Sequence, residues 1–282
     1  MKKNQILSGL AFGLAAVLYS CAPSGSQKTA SETDTLTVAT VVRHIADSTG
    51  TYEIRVGFPN AKPGSALAVA VGEWVSEQLG GTYGTADSVD YAQLLADTAA
   101  LANHYFDEVV SRNQKDYAEL MGANPEISNL DIAYYDSLSI EKLGEGRSWV
   151  TFINKHEIYS GGAHGSFLCF GQTFRKSDGR RIGWDIFANT TDEGFQKLLK
   201  EGLMEYWELK KETDLENFLM GTASVYYIPL PQCPPLFTEK GVEFVYNQYE
   251  IAAYAAGLPS FTVGYDKLEP YMMATAKRMV KE

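Results

Sequence analysis

Apolar and polar residues alternate from Thr35 to Arg43 and again from Gly50 to Phe58, with many β-branched side chains in both runs. Such alternation predicts two strands, here joined as a hairpin around Ala46, Asp47, Ser48 and Thr49. Pro59 to Gly64 interrupts the pattern. From Ser65 to Leu79 the period changes: Leu67, Ala70, Val71, Trp74, Val75 and Leu79 gather near one side of a helix that Gly80 and Gly81 end. A second helix is predicted from Tyr91, Leu94, Leu95, Thr98, Leu101, Ala102, Tyr105, Phe106 and Val109, which recur at three-and-four spacing. That stripe reads as core.

Strand-like stretches follow at Ile127 to Leu143, Ser148 to Tyr159 and Phe167 to Phe174. Asp178 and Gly179 sit where a tight hairpin turn belongs, with Arg181 to Trp184 predicted as the returning strand. Thr190 and Glu193 have the spacing of a capping box opening a helix whose Phe195, Leu198, Leu199, Leu203 and Tyr206 face one way. Strands are expected at Ser224 to Ile228, Val242 to Asn247 and Phe261 to Gly264, and a last helix over Leu268 to Val280. Helices and strands come in blocks, so the expected class is α+β. Antiparallel sheets should carry helices on one face, in two closely associated subdomains at 36–175 and 176–282.

The ends change the picture. Lys2 and Lys3 precede a largely apolar run from Ile6 to Leu18, and Leu18-Tyr19-Ser20-Cys21 closes it. The run is shorter than the ~20 residues a spanning helix needs. The order is similar to a lipobox, so residues 1–20 are expected to be a lipoprotein signal peptide, with Cys21 lipidated as the new N-terminus. Acyl chains gain about 0.8 kcal/mol per buried methylene, which anchors without a spanning helix. Residues 21–35 are small and polar and should form a flexible tether. Ala22 in place of an aspartate resembles the signal for the periplasmic face of the outer membrane, the expected location.

Charge narrows the partners. The formal charge is -11, and losing residues 1–20 removes two lysines and no acid, leaving -13. Nucleic acid and anionic lipid surfaces are therefore unsuited partners, and the membrane is reached through the anchor alone. The acidity either attracts a cationic protein or serves solubility. Cys169 and Cys233 either bridge in an oxidising compartment or remain as a buried strand residue and a loop thiol between prolines.

Patterns that carry chemistry are mostly incomplete. His156-Glu157 starts like a zinc-protease helix, but Ser160 stands where the second histidine belongs. Ser139 and Lys142 have Ser-x-x-Lys spacing in a strand-like stretch, where they point to opposite faces. The four histidines are scattered, and neither a nucleophile elbow nor a phosphate-cradling glycine loop occurs. No catalytic residue, metal ligand set or cofactor is assigned. Carboxylate pairs remain open, since 35 acidic residues allow many.

Two blocks stand apart. Tyr159-Ser160-Gly161-Gly162-Ala163-His164-Gly165 places a titratable ring in a glycine-rich turn between strands. There His164 can meet a partner or act as a base, or it can fix a strand crossing through a nearby carbonyl. Asn247-Gln248-Tyr249-Glu250-Ile251-Ala252-Ala253-Tyr254-Ala255-Ala256-Gly257 reads as a short capped helix. Asn247 would be the cap, Glu250 its third residue, Tyr254 a partner for Glu250, and Gly257 the left-handed stop before Pro259.

The two blocks resemble the Tyr-x-Gly-Gly-Ala-His and Asn-x-Tyr-Glu-Ile-x-x-Tyr-x-x-Gly signatures of a bacterial envelope family of paired extracytoplasmic domains. These occur in the outer part of RsiV, an anti-sigma factor that binds lysozyme, and beside the catalytic domain of the peptidoglycan deacetylase PdaC. The resemblance spans nearly all of 36–270, with a PdaC-type domain over 36–175 and an RsiV-type domain over 176–282. Neither the sigma-binding segment of the one nor the deacetylase domain of the other is recognised in these residues, so neither activity is expected to carry over whole. The resemblance implies a non-catalytic module that recognises a lysozyme-like protein or a cell-wall ligand. Tyr159, Gly161, Gly162, His164, Tyr249, Glu250 and Tyr254 are the candidate binding residues. Two alternatives are an envelope hydrolase acting on glycan or peptide, using His164 and a nearby carboxylate, and a structural or assembly lipoprotein.

Overall fold

The computed structural model describes residues 36–59, 64–80, 97–123, 126 and 132–281. The signal, Cys21, the tether and the Tyr91–Leu95 start of the second helix lie outside them. The expected hairpin forms as β1 (Val38–Ala46) and β2 (Gly50–Pro59). Its turn is held by Asp47, whose carboxylate accepts from the Thr49 N–H at 2.7 Å and from the Thr49 hydroxyl. β3 (Tyr134–Glu145), β4 (Trp149–Tyr159) and β5 (Ser166–Arg175) complete a five-stranded sheet in sequence order. The protein is α+β, with one departure from the antiparallel expectation: β2 and β3 run parallel. Both helices of the first half lie between these strands in sequence, and such a crossover carries the chain from the end of β2 back to the level where β2 began.

Those helices are α1 (Ala66–Gln78) and α2 (Thr98–Ala123). Ser65 caps α1 by accepting from the Ala68 N–H at 3.2 Å, and Asp97 opens α2 by accepting from Ala99 and Ala100 at 3.0 Å each. α2 continues well past Val109. Its stripe goes on through Asn113, Tyr117 and Leu120, and the buried Asn113 satisfies its amide on the Val109 carbonyl at 3.0 Å. A polar residue inside the stripe hid that continuation. Both helices cover one face of the sheet. Trp74 and Val75 of α1 and Leu101, Phe106 and Val110 of α2 meet Tyr52, Ile54, Leu138, Ile140, Phe152 and Phe174. Each such side chain contributes about 1.5–3 kcal/mol when fully buried. Arg43 of β1 lies over the Phe106 ring at 4.7 Å and bonds Asn103 and Asp107, tying the edge strand to α2.

The opposite face of β4 and β5 carries the rest of the chain. α3 (Glu193–Tyr206), β6 (Leu236–Phe237), β7 (Val242–Val245), β8 (Ser260–Val263), α4 (Tyr265–Leu268) and α5 (Ala274–Lys281) share a second apolar core. The small sheet is antiparallel, in the order β6-β7-β8. Gly202 lets the Phe261 ring lie on α3: a Cβ there would come within 2.1 Å of that ring. β6 docks on the large sheet through buried threonines. Thr151 donates to the Phe237 carbonyl at 2.7 Å and Thr173 to the Pro235 carbonyl at 3.0 Å, while the two hydroxyls lie 2.9 Å apart.

Several expected elements change. Arg181 to Trp184 is no strand: Arg181 makes one bridge to Phe174, and a 3-10 turn follows at Trp184–Ile186. The chain leaves the sheet because the Trp184 indole N–H reaches the Pro231 carbonyl at 2.8 Å and its ring packs on Phe244. The cap of α3 is Asp192, accepting from Gly194 at 2.8 Å, and not Thr190. Ser224 to Ile228 contributes only the Ser224–Tyr227 bridge. Pro270, which has no N–H, lies in a 3-10 turn that breaks the last helix into α4 and α5. Cys169 and Cys233 are free, buried thiols in a small cluster with Ile153, Leu236 and Val245.

Candidate functional site

The connection from β4 to β5 requires glycine. Gly161 and Gly162 stand at φ 90° and 102°, where a side chain is strained whatever the space around it. Tyr159, the last residue of β4, donates its hydroxyl to the Gly162 carbonyl at 3.1 Å. Its ring stacks on Tyr135 of β3, with centroids 5.8 Å apart. Gly165 admits the Tyr135 hydroxyl, which a Cβ there would meet at 2.3 Å.

His164 is exposed at the tip. Its Nδ1 lies 2.9 Å from the Gly165 carbonyl, which can only accept, so Nδ1 carries a proton. In the neutral tautomer Nε2 is then an acceptor, and the Tyr249 hydroxyl approaches it at 3.4 Å. The imidazole stacks on Tyr254, with centroids 3.9 Å apart at 24°. Tyr249 lies beside Tyr254 at 6.1 Å. The two sequence blocks, 85 residues apart at the His164–Tyr249 contact, therefore meet.

The second block holds this position by a route that the sequence does not suggest. Asn247 caps no helix. Its side chain accepts from the Cys169 N–H at 2.8 Å and donates to the Cys169 carbonyl at 3.0 Å, while Gln248 accepts from the Phe167 N–H at 3.2 Å. Two side chains thus take the outer edge of β5. Residues 248–250 form a turn, with Tyr249 at φ 64°. Glu250 faces inward, and its carboxylate oxygens accept from the N–H groups of Asn247 and Gln232 instead of reaching Tyr254. Burial raises its pKa against the lowering effect of those two bonds. Gly257 has positive φ, 80°, but with ψ -153° it is extended and not a left-handed helix stop.

The sheet also holds a carboxylate–imidazole pair unseen in the sequence. His156 Nε2 lies 2.7 Å from Asp136 Oδ1, and the Asp136 side chain is only 4% exposed. Its only sequence signal is position, since Leu138 pairs with His156 across β3 and β4. His164, by contrast, bonds a carbonyl and packs on tyrosines. Among the described residues, no group of three His, Cys, Asp or Glu side chains could hold a metal ion. No described helix is long and apolar enough to cross a membrane.

No curated protein matches the chain in sequence. Among solved structures, a DUF3298-family member from Bacteroides fragilis superposes with a TM-score of 0.67 at 17% identity, covering 89% of this chain and all of its own. A DUF3298-family protein from Pseudomonas aeruginosa gives 0.54 at 13% identity, covering 86% of this chain and 96% of its own. These likenesses establish the fold. The family model described as a protein of unknown function (DUF3298) matches residues 236–266, the stretch that holds β6, β7, the Asn247–Gly257 block and β8.

Proposed function

We propose that this protein is a lipid-anchored, non-catalytic binding module of the bacterial envelope that recognises a lysozyme-like protein or a cell-wall ligand. The observation that carries the reading is the gathering of Tyr159, His164, Tyr249 and Tyr254 around one glycine turn, with three tyrosine rings and an imidazole at least partly exposed. Tyrosines in such positions supply large contact area at low entropic cost, which suits recognition. His164, exposed at the tip and stacked on Tyr254, is posed for contact. Cleavage ahead of Cys21 and lipidation of its thiol would tether this body to a membrane, on the periplasmic side of the outer membrane.

The test is retention of the purified full chain on insoluble peptidoglycan and on immobilised cationic muramidases. Retention on one of them, reduced by His164→Ala, is expected. Passage through both without retention overturns the reading. Mass spectrometry of membrane-extracted protein checks the anchor, with a diacylglyceryl adduct on Cys21 expected.

A further inference from the structure

Around the β4–β5 turn, aromatic rings flank a stretch of chain with almost no side chains. Tyr135 and Tyr159 stack on each other, with the Tyr159 hydroxyl on the Gly162 carbonyl, while His164 of the same turn clusters with Tyr254 and Tyr249. A Cβ at Gly162 would meet nothing within 4 Å. Tyr135 is 39% exposed and Tyr249 54%. Tyr249 holds its ring there from a left-handed backbone, φ 64°, a strained conformation for a non-glycine residue that concentrates at working sites.

The electrostatic character of this surface is unlike that of the rest of the molecule. None of these side chains is a carboxylate, amine or guanidinium, on a chain of which 21% is charged. Glu157 stands two positions before Tyr159 on the same face of β4, and Glu250 is held by backbone N–H groups. A polyanion would meet the net charge of -11, and along this face of β4 Glu157 stands nearer to Tyr159 than Lys155 does. A cationic peptide would gain little from uncharged rings compared with the acidic surface elsewhere.

We infer that this surface binds a neutral β-1,4-linked glycan strand. The inference rests on the binding-module reading and names its ligand class. A pyranose presents a face of axial C–H bonds with slight positive charge, which settles on the negative face of an aromatic ring. Its equatorial hydroxyls lie at the rim, where the tyrosine hydroxyls, the Glu157 carboxylate and the backbone of the open turn offer hydrogen-bond partners. A β-1,4 chain is an extended ribbon, so successive sugars can engage more than one of these rings with little ordering cost.

Saturation-transfer NMR on the full chain, with chitopentaose and cellopentaose as probes, tests this. Transfer to sugar ring protons is expected for at least one, and their difference reports whether the acetamido group is read. Tyr254→Ala and Tyr159→Ala should each weaken binding about three- to tenfold, while Tyr254→Phe, which keeps the ring, stays within about twofold. Near-UV circular dichroism verifies each fold; if Tyr254→Ala unfolds, Tyr159→Ala and His164→Ala carry the comparison. Absence of transfer to both sugars overturns the glycan assignment, as does affinity unchanged in the folded alanine variants. If muramidase or peptidoglycan retention persists while both oligosaccharides fail, the module stands and its ligand is a protein or peptide. If all fail, the module reading falls as well.

Discussion

Burial disarms both cysteines. It pushes the Cys169 thiol up to about 11 and the Cys233 thiol up to about 12, so at pH 8 only about one Cys169 in a thousand is thiolate. A maleimide at pH 8 should leave both unlabelled in the folded protein and label both in denaturant. Fast labelling of either in the native state would place it outside the core. The glycines of the β4–β5 turn are constrained in another way. Gly162→Ala meets no neighbour, so its whole penalty is backbone strain, about 1–2 kcal/mol, read as a lower unfolding midpoint. The Asp136–His156 pair is more sensitive, because removing one member strands the other inside the sheet-helix layer. Asp136→Ala should cost about 3 kcal/mol, and an equal loss from the conservative Asp136→Asn would show that the carboxylate charge is what His156 needs.

Among the elements, β5 is where edge protection depends on other parts of the chain. Asn247 takes both the N–H and the carbonyl of Cys169, so Asn247→Ala leaves two buried polar groups unpaired. We expect a loss of about 2 kcal/mol in urea unfolding, together with concentration-dependent self-association as the strand edge opens. Unchanged stability would mean that water replaces the amide without loss. This same residue marks the limit of what the sequence discloses. The strands are legible because their alternation is local, and β1, β2, β4 and β5 lie within two or three residues of where the pattern puts them. Asn247 looks like a helix cap from its neighbours alone, whereas its partner is 78 residues away. The parallel pairing of β2 and β3 is likewise invisible locally, since it follows from where two helices deliver the chain. Tyr159, Gly161, Gly162, His164, Tyr249 and Tyr254 are identifiable as two blocks. Only the fold joins them, and it brings in Tyr135, a strand residue without a motif.

Across the whole molecule, acid should act in two opposite steps. Glu145 would be raised by burial, but Lys142, Lys176 and the Leu36 N–H outweigh that and hold it below its ordinary 4.5. Its contribution is therefore present above 4.5 and lost as pH falls through the lowered value. Glu243 and Glu250 are shifted upward by burial, so their contributions are present below 4.5 and lost as pH rises through their folded values. Stability should thus rise as pH falls from neutral through the raised values of Glu243 and Glu250, and decline once it falls below 4.5 through the lowered value of Glu145. Glu243→Gln should flatten the neutral limb in a thermal-melt series, and a neutral limb of the same slope would locate the effect elsewhere.

The hydroxyls of Thr151 and Thr173 belong to strands of the first half, yet they bond carbonyls of the second, and Trp149 of β4 packs in the second core. Severing the chain after Arg175 would therefore not release a finished piece. The amputated sheet would present wet threonines beside a bare tryptophan and the naked flank of β5, a surface inviting aggregation. Inheritance, recombination and engineering of this body should accordingly treat 36–281 as the smallest transferable unit.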